Sequence, residues 1–153
     1  MEERIINFLR NEVQLAKVQE VFAIGTFNLS DKSPVLFPGG VYAFFTQLTE
    51  SEALELHAES SARGLANIPV EEFLPVFDNL YVLYWGKDKS IGTRPYQHFG
   101  NPSGTGAIRL STYKSLANKE IICANIIVSD FNIFEVHLQH KYPQLLKTTK
   151  KKQ

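Results

Sequence analysis

Three short runs constrain the fold of this chain most: residues 41–48 (VYAFFTQL), 80–85 (LYVLYW) and 120–128 (EIICANIIV). The first two mix aromatic residues with Val or Thr and the third is rich in isoleucine, and each is bounded by glycine or polar residues, the pattern of a strand rather than a helix. Gly39-Gly40 leads into the first and Gly86 closes the second. Residues 80–85 carry no polar interruption, which predicts a central strand. Such strands need cover, and the intervening segments supply it. Residues 3–22 place Ile5, Phe8, Leu9, Val13 and Ala16 at helical spacing, with Glu12, Lys17 and Gln19 elsewhere. Residues 51–66 form a second helix, with Ser51 as N-cap, acids in its first turn and Gly64 near its end. Residues 69–77 are a short helix or turn broken at Pro75. Thr93-Arg94-Pro95 starts a helix, because proline is tolerated only in the first turn. A loop at 100–106 precedes a helix over 107–117. Asp130 caps a last helix over 132–142, which Pro143 stops.

The expected fold is therefore α/β in the broad sense, of the α+β kind: a small three-stranded, mainly antiparallel sheet flanked by helices. A helical insert (about 50–79) separates the first two strands, and an extra helix and connection (1–35) precede the main domain at 36–148. A basic tail, 149–153, follows. At 153 residues there is room for one core. The single Cys123 excludes an internal disulfide or a cysteine-cluster metal site and reads as core. Met1-Glu2-Glu3-Arg4 lacks the start of a secretory signal, and no apolar run approaches ~18 residues, so a cytoplasmic protein with no membrane segment is expected. The formal net charge of zero argues against a strongly electrostatic nucleic-acid binder, but residues 85–153 hold eleven Lys or Arg against four acids, which suits equally a surface that faces a polyanion and an ordinary solvated one.

Two tripeptides carry the chemistry: Gly40-Val41-Tyr42 opens the first strand and Tyr84-Trp85-Gly86 closes the second. Lys87 follows directly, Arg94 lies eight residues after Gly86, and His98 four after Arg94, a spacing that puts both on one face of a helix. Glu135 is an isolated acid in the last helix. Together these residues resemble the GIY-YIG nucleases, whose second tripeptide leads through a short loop into a helix bearing an arginine and often a histidine. The resemblance spans roughly residues 36–148. It differs from the simplest members in the 41 residues between Tyr42 and Tyr84, which make the acidic helical stretch an insertion, and in Trp85, where an aliphatic residue is usual. No late asparagine follows the glutamate.

The resemblance implies a metal-dependent endonuclease hydrolysing phosphodiester bonds in DNA. Its catalytic set is Tyr42, Tyr84, Lys87, Arg94, His98 and Glu135, with Gly86, Arg109 and Lys114 binding substrate. Glu135 offers the hard oxygen that Mg²⁺ (or Mn²⁺) prefers, and Arg94 a bidentate fork for phosphate. Tyr42 is the implied general base and Tyr84 positions the water or the base. A phenol near its ordinary pKa of ~10 needs a neighbouring cation, for which Lys87 and His98 are candidates, and His98 can instead take the proton itself. Glycines at 104 and 106 ahead of Arg109 form a natural anion cradle, with a plain loop as the equal alternative. His137 and His140 read as surface residues. RNA would be cut by the same chemistry, and a homodimer with the first helix at its interface would cut both strands. The alternative is a catalytically inactive nucleic-acid-binding or protein-interaction module of the same fold.

Overall fold

The computed structural model describes residues 1–21, 25–28, 40–88 and 107–148. In chain order its elements are helix α1 (Glu2–Leu15), strands β1 (Gly25–Asn28) and β2 (Gly40–Gln47), helix α2 (Glu50–Ala62), strand β3 (Leu80–Asp88), strand β4 (Ile122–Ile126) and helix α3 (Phe131–Lys141). Single 3₁₀ turns occupy Val70–Glu72, Leu110–Thr112 and Lys114–Leu116. The architecture is α+β. The three anticipated strands pair antiparallel as β4-β2-β3, and the short β1 adds a fourth on the far side of β4.

Alternation along the strands divides the core into two layers. One face of the sheet presents Val41, Ala43, Phe45, Val82, Trp85, Ala124 and Ile126, covered by Ile5, Leu9 and Val13 of α1 and by Phe134 and Leu138 of α3. The other presents Tyr42, Phe44, Tyr81, Leu83 and Cys123, covered by Ala53 and Leu56 of α2, by Phe73 and by residues 108–116. Ile5, Leu9 and Val13 of α1 are thus packed inside the chain.

Several boundaries differ from the sequence reading for identifiable reasons. Helix α1 stops at Leu15 because Lys17 turns left-handed (φ 59°), and the chain then runs beside residues 127–129 through Val21 N donating to Ile127 O. Helix α2 starts one residue earlier than expected, capped by Thr49 instead of Ser51. The Thr49 hydroxyl accepts from Glu52 N while the Glu52 carboxylate accepts from Thr49 N, a reciprocal capping box. No helix forms over 107–117. Arg109 is left-handed (φ 52°), and Ile108, Leu110, Tyr113 and Leu116 are all buried. Positions 108 and 110 lie on opposite sides of an α-helix, so only an irregular path buries all four.

Strand β3 is at the edge of the sheet, not its centre. Its apolar sequence is accounted for by helices on both faces and by the segment after α3: Leu146 N donates to Leu83 O, and Trp85 N donates to the Gln144 side-chain oxygen. No helix of the described residues is long and apolar enough to cross a membrane.

Candidate active site

The two tripeptides meet as neighbours in the β2–β3 ladder, with Tyr42 opposite Gly86 and Phe44 opposite Tyr84. Strict alternation from Tyr81 would put Tyr84 on the face of α1 and α3. A bulge intervenes: the register shifts between Phe44 and Phe45, so that Leu83 and Tyr84 both pack on the α2 face. The bulge is what brings the two phenol rings together, with centroids 6.4 Å apart.

Gly86 has a definite reason to be glycine. A Cβ there would overlap the ring and hydroxyl of Tyr42, which crosses directly over its backbone. Tyr42 is only 3% exposed and has no room to yield. Gly86→Ala is expected to cost about 1–3 kcal/mol by overpacking, read from denaturant unfolding. An unchanged midpoint would contradict this placement of the ring.

Lys87, the next residue, turns to the opposite face. Its ammonium donates to Asn132 Oδ1 at 2.8 Å and lies 3.8 Å from Glu135 Oε1, both on the first turns of α3. Asp130 fixes that helix start by accepting from Ile133 N. Burial pushes the Glu135 carboxyl above the usual carboxylate range, and Lys87 pulls it partly back. The Lys87 ammonium therefore sits beside Glu135, on the opposite face of the sheet from the tyrosines.

The expected residues thus fall into two groups on either side of one strand end: Tyr42, Tyr84 and Gly86 on the α2 face, Lys87 and Glu135 on the α3 face. Arg94 and His98 lie outside the described residues, as does the glycine loop at 100–106. Arg109 is buried and donates through Nη1 to Ala107 O, with no helix beneath it. The side chain of Lys114 is exposed at a turn whose backbone is held by Glu59, which accepts from Lys114 N and Ser115 N. His57 is tied to Ile68 O.

Sequence reasoning missed a second polar cluster. Glu12 is fully buried, and its carboxylate takes Lys141 Nζ at 2.6 Å and Tyr142 OH at 3.3 Å, with His137 Nε2 at 3.7 Å. The sequence reading set Glu12 apart from the apolar stripe, but seven residues after Ile5 and beside Val13 it falls on the apolar face of α1. His137, expected at the surface, is half-buried here and stacks on Phe134.

Among the described residues no group of three or more His, Cys, Asp and Glu side chains is placed to hold a metal ion. Glu135 alone can still ligate Mg²⁺, which accepts one carboxylate when phosphate and water supply the remaining oxygens. Comparison of the chain with models of known families, with curated proteins and with solved structures finds no match.

Proposed function

We propose that this chain is a cytoplasmic, metal-dependent endonuclease that hydrolyses phosphodiester bonds in DNA, with its reacting centre at the Gly86–Lys87 end of β3. The observation that carries the reading is the meeting of Lys87 and Glu135, far apart in sequence, one residue along the strand from the point where the Tyr42 ring crosses Gly86.

Glu135, with Asn132 beside it, would hold Mg²⁺ or Mn²⁺, and the ion would supply Lewis-acid stabilisation of the phosphoryl oxygens. The chain's own residues do the rest. Arg94 forks the scissile phosphate. Lys87 adds positive charge where negative charge grows in the transition state. A general base needs to touch the attacking water, and Tyr42 is too deeply buried for that, so His98 accepts the proton. Tyr42 then positions Tyr84, whose hydroxyl orients the water. Of the proposed substrate-side residues Gly86, Arg109 and Lys114, the exposed Lys114 would reach the substrate directly, Gly86 and Arg109 being buried, and a homodimer would bring two such centres to a duplex.

The purified chain with Mg²⁺ or Mn²⁺ is expected to nick or cut plasmid DNA, and Glu135→Ala and Arg94→Ala to lose roughly 100-fold or more in rate. Variants that cut as fast as the parent would overturn the site. Failure of every divalent ion to support cutting of DNA or RNA would overturn the activity. A parent that binds nucleic acid without ever cutting it would select the alternative, a catalytically inactive nucleic-acid-binding or protein-interaction module of the same fold.

A further inference from the structure

We propose that the insert between β2 and β3 is a docking site for a short cationic segment of a protein partner, anchored by aliphatic or aromatic side chains. The cleft that suggests it has a volume of about 600 Å³ and lies between the first turns of α2 and residues 70–75. That size is within the ~300–1,000 Å³ of clefts that hold ligands. Its floor is Phe73 against Tyr81, with ring centroids 4.8 Å apart. Its lips are Leu54 and Leu74, 58% and 66% exposed. Large apolar side chains left in water around a single cleft mark a contact surface.

Charge decides the kind of partner. Residues 50–79 carry seven acids against Arg63 alone. Three of the acids are occupied: Glu52 by Lys119, Glu59 by Ser115 and the neighbouring backbone, and Asp78 by Arg4. Glu50 and Glu71 make no ion pair among the described residues, and both line the cleft. The charge of Glu50 reaches the floor, where it adds to burial in raising the Tyr81 phenol. An apolar floor under a negative rim attracts lysine or arginine flanking a hydrophobic anchor and repels a polyanion.

The cleft lies at the Leu48 and Tyr81 end of the β2–β3 hairpin, whereas Gly40 pairs with Asp88 at the other end. The six strand steps from Tyr81 to Lys87 put it roughly 20 Å from Lys87. The inference therefore stands independently of the nuclease reading.

Fluorescence anisotropy with two labelled peptides of equal length, one of Lys and Leu and one of Glu and Leu, tests it on the full chain. The Lys–Leu peptide is expected to bind at least ~10-fold more tightly, and Glu71→Lys and Leu74→Asp to lose about 10-fold each. Both substituted side chains are exposed, so each variant keeps the parent's melting temperature, and loss of binding cannot be ascribed to unfolding. Equal binding by both peptides, or by parent and variants, overturns the proposal. So does displacement of the peptide from this cleft by duplex DNA. Sedimentation showing a dimer that Leu74→Asp dissolves would assign the cleft to a second copy and overturn it as well.

Discussion

Lys141→Met is expected to lower the melting temperature far more than Glu12→Gln, although the two substitutions remove opposite halves of one ion pair. The asymmetry follows from where each charge sits. Glu12 has no solvent exposure, whereas the Lys141 side chain is 41% exposed and reaches the carboxylate from the surface at 2.6 and 3.0 Å. Without the lysine, a carboxylate is stranded between α1 and α3 with Tyr142 OH and, at 3.7 Å, His137 as its remaining polar company. An ion buried without its counter-ion is among the most destabilising arrangements a core can hold. Without the carboxylate, the ammonium swings into water, and the glutamine oxygen still accepts from Tyr142, so Glu12→Gln costs about 1–3 kcal/mol. Equal losses, or the reverse order, would show that the pair is not the anchor between the helices. The pH dependence has a definite sign. The hydrogen bond to Glu12 raises the Lys141 pKa above its ordinary value. A base held this way contributes fully below the unfolded value of ~10.4 and loses its contribution as pH rises through the folded one. The parent's advantage over Lys141→Met therefore persists through neutral pH and shrinks in alkaline solution.

That cluster also shows what could be read in advance. Apolar periodicity located α1 and its buried Ile5, Leu9 and Val13, and the same wheel carries Glu12 on that face. A buried acid is rare enough that pattern alone assigns it to solvent. Its partners come from α3, more than a hundred residues away, and long-range pairing leaves no local trace. The three strands were legible because β-branched and aromatic runs have few other uses. Strand β1 was not, because Gly25-Thr26-Phe27-Asn28 is only four residues long with strand-poor Gly and Asn at its ends, and it pairs at the edge that β4 offers. The end of β3 was legible as a place where charged groups and tyrosines gather. The face each occupies was not: it depends on one extra residue at Leu83 and Tyr84, and a slip of one residue reverses every side chain beyond it. The segment 107–117 failed for a related reason. Its composition tolerates a helix, but burial of Ile108, Leu110, Tyr113 and Leu116 together does not.

Glu135→Gln is expected to abolish cleavage and at the same time raise the melting temperature at neutral pH. A residue retained for structure would not combine these effects. The carboxylate is largely withdrawn from water at the start of α3, and that burial raises its pKa despite Lys87 at 3.8 Å. A carboxylic acid whose folded pKa exceeds its unfolded value binds its proton more tightly in the native state. Below the unfolded value of ~4.3 both states are protonated and nothing is lost. As pH climbs through that value and then through the raised folded one, the native state bears the cost of an ionised group in poor solvent, and stability falls. Glutamine has nearly the same shape and no charge to bury, so the variant is spared that cost. Its advantage over the parent is full at neutral pH and fades as the solution is acidified toward ~4. Lys87 is exposed and keeps its hydrogen bond to Asn132, so losing its neighbour's charge costs little. Paired melting curves across this pH range, with plasmid cleavage at neutral pH, decide the matter. A variant less stable than the parent at neutral pH would make Glu135 a structural partner of Lys87. A stabilised variant that still cuts would free the residue from the reaction. Stability gained as activity is lost is the signature of a group held in an unfavourable place for the chemistry it performs.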